Sequence, residues 1–274
     1  MKNGLVLAVS AVILITGLAM NACAVEETTQ ISVNYVPPKN PAYQQIYTAT
    51  KEHQALEKLQ KFLSPFRLSR ALEISLKECG GEADAMYGDG SITICYEYVE
   101  ELQGSMPAQI TAAGIEPIDT LAGPLVDTVL HEFAHALFDI LDIPILGREE
   151  DAADQVAAYI YLQLGKVEAR RLIMGTVYAY MLEVQDTGPP TMAEFADEHS
   201  TSEQRAFNLL CIAYGADPEL FEDVATWGAL PEERAKICEE EFEHVSYAYH
   251  TLIGPHIDPD LAKKVFDRTW LPEK

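Results

Sequence analysis

Positive charge is what this chain has least of. Against 43 Asp and Glu stand 19 Lys and Arg in 274 residues, a formal net charge of -24, and no basic cluster relieves it. Phosphate backbones and anionic membrane surfaces repel such a chain, which argues against nucleic-acid binding. A membrane-spanning run is lacking too, because the apolar stretch Leu5 to Leu18 is too short to cross a bilayer. Behind Met1-Lys2-Asn3 it reads instead as an export signal over residues 1–24. Ala22-Cys23-Ala24 allows cleavage after Ala24, or Cys23 becomes a lipoprotein anchor. Internal repeats are absent, which excludes solenoids and propellers. Cysteine is scarce, five in all and none in a C-x-x-C pair, so a cysteine-ligated zinc site has no support. After processing, Cys79, Cys95, Cys211 and Cys238 remain. In a periplasmic or extracellular compartment that even number predicts two disulfides, and sequence proximity favours Cys79–Cys95 and Cys211–Cys238.

What is present centres on Leu130-His131-Glu132-Phe133-Ala134-His135, an H-E-x-x-H motif. Leu125, Val129, Phe133, Leu137 and Leu141 recur at helical spacing, which predicts a helix from Pro124 to Leu141 with Pro124 in its first turn. On a helix, positions i and i+4 share a face, so His131 and His135 can each give a ring nitrogen to one Zn²⁺. Glu132 beside them is the candidate general base. A third protein ligand is required, with water in the fourth position, and hydrolysis is the chemistry such a site performs.

The segment Glu149-Glu150-Asp151-Ala152-Ala153-Asp154 supplies that ligand. Pro144 and Gly147 end the first helix and permit a reversal, so a second helix running to about Leu164 can pack back on it. Acids in a first helical turn also have a plainer explanation in the helix dipole. The spacing points further: Glu150 and Asp154 are i and i+4, so Glu150 can ligate while Asp154 accepts a hydrogen bond from a ligand histidine. Glu149 and Asp151 stay open as alternative ligands. H-E-x-x-H followed by E-x-x-x-D resembles the thermolysin-like, glutamate-ligated zincins. A metzincin is excluded, because Phe138 and Leu141 occupy the positions of its glycine and third histidine, and the inverted H-x-x-E-H motif is absent.

Along the chain, residues 25–47 with Pro37-Pro38 read as a flexible arm, and 48–274 as one domain. Thr50 to Leu63 predicts a helix. Alternating apolar residues predict a strand from Phe66 to Leu76, and Ser91 to Tyr96 a second, with Asp89-Gly90 as a hairpin turn. An exposed edge of that sheet is a candidate seat for an extended peptide. Val167 to Val184 reads as a core helix, and Ser202 to Tyr214 and Glu232 to Leu252 as two more, the first ended by Gly215 and the second opened by Pro231. The fold class expected is α+β and zincin-like: a small N-terminal antiparallel or mixed sheet over an active-site helix, then a mostly helical half.

His199, in Asp197-Glu198-His199-Ser200, is a candidate for stabilising an oxyanion, with a surface role as the plainer alternative. Arg205 is a similar candidate, with a structural ion pair as its alternative. Cys79 to Tyr87, Ile92 to Glu97, the His131 motif, Gly147 to Asp154 and Glu203 to Cys211 together resemble a family of exported bacterial proteins described as metallopeptidases. That resemblance covers the chain from about residue 50. It implies a zincin-like fold and one zinc ion at His131, Glu132 and His135, with the third ligand between Glu149 and Asp154. Two functions follow: a zinc-dependent peptidase acting on peptide or protein substrates, or a non-catalytic relative binding a peptide or envelope component in the same groove. The intact Glu132 favours the first.

Overall fold

The computed structural model describes residues 30–226, 228–266, 268 and 270, and the side chains of all of these except 186 and 187. The export signal and Cys23 therefore lie outside the described residues. Strand β1 (Ile31–Tyr35) is followed by α1 (Gln44–Glu52), α2 (Ala55–Leu63), β2 (Leu72–Lys77), β3 (Ala85–Gly88), β4 (Ser91–Cys95) and α3 (Tyr96–Gly104). The rest is helical: α4 (Pro117–Ile140), α5 (Glu149–Tyr161), α6 (Lys166–Thr187), α7 (Met192–Phe195), α8 (Ser202–Ala216), α9 (Glu222–Thr226), α10 (Glu232–Ala235), α11 (Cys238–Leu252) and α12 (Pro259–Phe266). This is an α+β arrangement with a small mixed sheet ahead of a mostly helical half, as the sequence led us to expect.

The sheet has the order β1-β2-β4-β3, with β1, β2 and β4 parallel and β3 antiparallel to β4. Asp89 (φ 51°) and Gly90 (φ 74°) are both left-handed, the geometry of a two-residue hairpin that matches strand twist. Leu72, Ile74, Ile92 and Ile94 are buried on the face towards α4 and its neighbours, where Phe66 and Phe133 meet edge to face at 4.9 Å.

Several boundaries differ from the sequence expectation, each for a local reason. Residues 31–35 are not a flexible arm: Ile31 pairs with Leu72 and is 2 % exposed, and the Tyr35 hydroxyl holds Glu57 at 2.7 Å. The expected helix Thr50 to Leu63 is two helices, broken where Gln54 turns left-handed (φ 52°). The strand expected from Phe66 starts only at Leu72, because Ser69 and Arg70 donate to the last carbonyls of α4, Ile140 at 2.9 Å and Asp139 at 2.7 Å. Tyr96 opens α3 rather than ending β4. Pro124 lies inside α4, not at its start, since Pro117 already occupies the first helical position. Gly215 does not end α8, and the segment expected as one helix after Pro231 is α10 plus α11.

Disulfides join Cys79 to Cys95 and Cys211 to Cys238, the pairing sequence proximity favoured. The helix that organises the molecule is α4. Its Val129, Leu130, Phe133 and Leu137 are fully buried, while Ala134 meets Ala153 of α5 in a second small cluster with Phe138. Two alanines at that contact let the helix axes approach closely. A left-handed Asp142 (φ 52°) and Gly147 (φ 104°) make the reversal between them.

Candidate metal centre

Because α5 returns antiparallel along α4, the acids of its first turns face the histidines of the motif. His131 Nε2 lies 3.0 Å from Glu150 Oε2 and 3.1 Å from His135 Nε2, and His135 Nε2 lies 3.3 Å from the same Glu150 oxygen. These three residues form one group able to hold an ion. On the far side of each ring a carboxylate takes the other nitrogen: Asp154 Oδ1 at 2.7 Å from His131 Nδ1, and Glu149 Oε1 at 2.9 Å from His135 Nδ1.

Those outer hydrogen bonds decide what the inner atoms can be. If each Nδ1 carries the proton given to its carboxylate, both Nε2 atoms present lone pairs, and they face each other and a carboxylate oxygen. Three converging acceptors without a proton between them repel unless a cation sits among them. A tetrahedral site with ligands ~2.1 Å from the ion has edges of roughly 3.4 Å, close to the three separations found here. The donor set therefore fits a divalent metal ion.

In the metal-free protein a proton on His131 takes the place of that cation. Burial opposes charge on His131, yet the hydrogen bonds to Asp154 and Glu150 outweigh it and hold the ring up to about 9. Glu150 is driven down to about 2, chiefly by His131. Asp154 is raised by burial but brought down to about 2 by His131 and Arg205. Arg205 grips Asp154 with two hydrogen bonds, Nε at 2.9 Å and Nη2 at 2.7 Å, and lies over the Tyr180 ring. It stands behind Asp154 and braces it, the ion-pair alternative for this residue.

Glu132 is 8 % exposed and lines the same cleft. Burial raises its carboxyl, and the Tyr87 backbone N–H donates to it from β3. Cys95 donates to the Asp84 carbonyl at 3.0 Å, so by strand alternation Ala85 and Tyr87 turn their backbone groups away from β4, towards the cleft. His199 enters from the loop ahead of α8, its Nε2 2.8 Å from Glu150 Oε2 and its ring stacked on His131. Arg148 anchors that loop through the Asp197 carbonyl at 3.3 Å and the Ser200 hydroxyl, which donates to Asp151 at 2.7 Å.

Each of the residues singled out from sequence thus has a place. His131, His135 and Glu150 converge, with Glu132 and His199 at the rim of the same cleft. Of the alternative ligands, Glu149 serves His135 from outside and Asp151 pairs with Arg148 at 2.8 Å, turned away. Nothing in the spacing of the chain points to Glu149 as a histidine partner, to Tyr87, or to the pairing of buried Asp127 with Tyr180. Tyr180 belongs to α6, read from sequence as core only, yet Thr176, Ala179 and Tyr180 line the cleft.

A family model described as "Putative metallopeptidase" matches residues 35–253. The chain belongs to that family. Its description implies a metal and peptide or protein substrates. No curated protein and no solved structure matches the chain. Among the described residues no helix is long and apolar enough to cross a membrane.

Proposed function

We propose that this member of the family is an exported zinc-dependent peptidase in which His131, His135 and Glu150 hold one zinc ion and Glu132 is the general base. The observation that carries the reading is the convergence of two imidazole nitrogens and a carboxylate oxygen within 3.0 to 3.3 Å, each histidine backed by its own carboxylate. Zinc bound there would polarise the scissile carbonyl and lower the pKa of water at the ion to about 7.

The chain's own groups supply the remaining steps. A substrate strand can lie along the outward edge of β3, taking main-chain hydrogen bonds at Ala85 and at the Tyr87 carbonyl, the Tyr87 N–H being given to Glu132. Glu132, its carboxyl raised by burial, takes the proton of the attacking water as the oxygen–carbon bond forms. It then passes that proton to the amide nitrogen as the carbon–nitrogen bond breaks, leaving a carboxylate and a free amine. His199, whose Nε2 lies 2.8 Å from Glu150 Oε2, would give its hydrogen bond instead to the oxygen that becomes negative in between, once Glu150 is turned to the ion. Asp154 and Glu149 fix the ring orientation of the two histidines.

The test compares metal content and peptide hydrolysis in the wild type, Glu132→Gln and His135→Ala. Glu132→Gln is expected to keep one zinc per chain and lose at least about a hundredfold in kcat, while His135→Ala loses both. Undiminished hydrolysis by the Gln variant would overturn the role of Glu132.

A further inference from the structure

One helical turn before His131, α4 presents Asp127 to the same cleft. Asp127 is 6 % exposed, and a carboxylate so placed ordinarily has a cation beside it. Here the nearby cation is engaged elsewhere, since Arg205 gives both its hydrogen bonds to Asp154. Two carboxylates share one guanidinium, and Asp127 keeps a single hydrogen bond, from the Tyr180 hydroxyl to Oδ2 at 3.0 Å. Among the described residues Oδ1 has no hydrogen-bond partner, nor is it among the sealed buried atoms without one.

The walls around it are polar and aromatic rather than aliphatic. The Tyr98 hydroxyl and Thr128 Oγ1 are 2.8 Å apart on one side, with Thr176 and Tyr180 on the other. The whole cleft, about 830 Å³, is lined by eight carboxylates and two arginines. Both arginines are held by aspartates, Arg148 by Asp151 and Arg205 by Asp154. An apolar side chain entering here would strip water from Asp127 and give nothing back, whereas a cation would gain the full field of an unmatched carboxylate. Four residues along a helix span ~6 Å, within reach of a side chain next to the peptide bond held at the histidines.

We propose that Asp127 is the specificity-determining residue of a cation subsite, receiving the ammonium or guanidinium group of a peptide residue that flanks the bond held over His131, His135 and Glu150. Lysine- and arginine-containing peptides are then the preferred ligands of the cleft. This rests on the proposed function for the placement of the peptide, and its test reads binding so that the two can fail separately.

Calorimetric titration of the zinc-loaded Glu132→Gln chain, in which peptides stay intact, uses end-blocked alanine peptides with one central Lys, Arg, norleucine or Nε-acetyl-lysine. The Lys and Arg peptides are expected to bind about tenfold more tightly or better than the two neutral ones. Adding Asp127→Asn should bring all four within about twofold of one another. Norleucine peptides with a free α-amine form a further arm. If they gain the tenfold instead, the terminal ammonium is the group received, and its loss in Asp127→Asn upholds the same subsite. Should Asp127→Asn fail to fold, Ala179→Lys sets a resident ammonium in the cleft without removing any hydrogen bond and must erase the preference. Equal affinity for all peptides in the parent chain, or a preference that survives either substitution, overturns the proposal. Absence of hydrolysis by the wild type alongside an intact binding preference overturns the peptidase reading alone.

Discussion

His131 is pulled by two carboxylates and is nearly sealed from water, at 3 % exposure. Without metal, Asp154 and Glu150 stabilise its protonated form, so its pKa rises from 6.5 to about 9. A group raised on folding contributes stability that is complete below its unfolded pKa and is lost as pH climbs through the folded value. Glu150 and Asp154 run the other way: lowered to about 2, they contribute above their unfolded values and lose it as pH falls towards 2. In the metal-free protein these three groups together contribute most between roughly pH 4.5 and 6.5, and the share of His131 weakens by on the order of 2 kcal/mol by pH 9. Melting temperatures against pH, with and without zinc, check this, and zinc should remove the alkaline decline because it replaces the proton on His131. A metal-free melting temperature flat from pH 6 to 9 would contradict it. At this scale the sequence was legible where partners sit one helical turn apart: His131 with His135, and Glu150 with Asp154. Glu149 and Asp127 were hidden because their partners, His135 across the α4–α5 contact and Tyr180 across the α4–α6 contact, are set by how helices cross, which no spacing encodes.

How those helices cross depends on two glycines. A Cβ on Gly175 of α6 would lie 1.9 Å from the Asp119 carbonyl oxygen, and one on Gly123 of α4 would lie 2.4 Å from the Leu172 carbonyl oxygen. Backbone meets backbone there, and α6 is held close enough for Thr176 and Tyr180 to wall the cleft. Gly175→Ala must push the helices apart, which is expected to cost about 1–3 kcal/mol and to move Tyr180 off Asp127. Denaturant midpoints check the first effect. Unchanged stability would mean the crossing has slack the contact distances deny. Neither glycine announces itself in the sequence, since both lie within apolar periodic runs. Periodicity located α4, α5, α6 and α8 but misplaced their ends. Pro124 looked like a start because a proline costs least in the first turn, whereas here the helix has already run from Pro117 and Tyr98 reaches the Pro124 carbonyl from α3 at 3.4 Å.

For the whole molecule, the residues proposed to hold the metal, with Asp154 behind them, come from 24 consecutive positions, His131 to Asp154. Local spacing therefore suffices to propose them, while the sheet beside them depends on pairings as distant in sequence as Ile31 with Leu72. Residues 25–47 looked like an arm because Pro37-Pro38 and a run of polar residues outweighed the short alternation Ile31, Val33, Tyr35. That alternation is a strand only because β2 offers it an edge. The Tyr35 hydroxyl accepts from the Leu56 backbone N–H at 2.8 Å, fixing α2 to the same edge. A chain beginning at Pro37 would uncover β2, whose Leu72, Ile74 and Leu76 are at most 2 % exposed, and would cut α2 loose from the sheet. Such a chain should melt roughly 5–10 °C below one beginning at residue 25, and aggregate through the bared strand. Its zinc affinity should change little, because every proposed ligand lies on the α4–α5 pair at the opposite side of the sheet order from β1. Calorimetric melting and zinc titration on the two chains separate these effects. Equal melting temperatures would return residues 31–35 to the status of a tether, and parallel loss of zinc binding would mean the sheet and the metal pair are not independent.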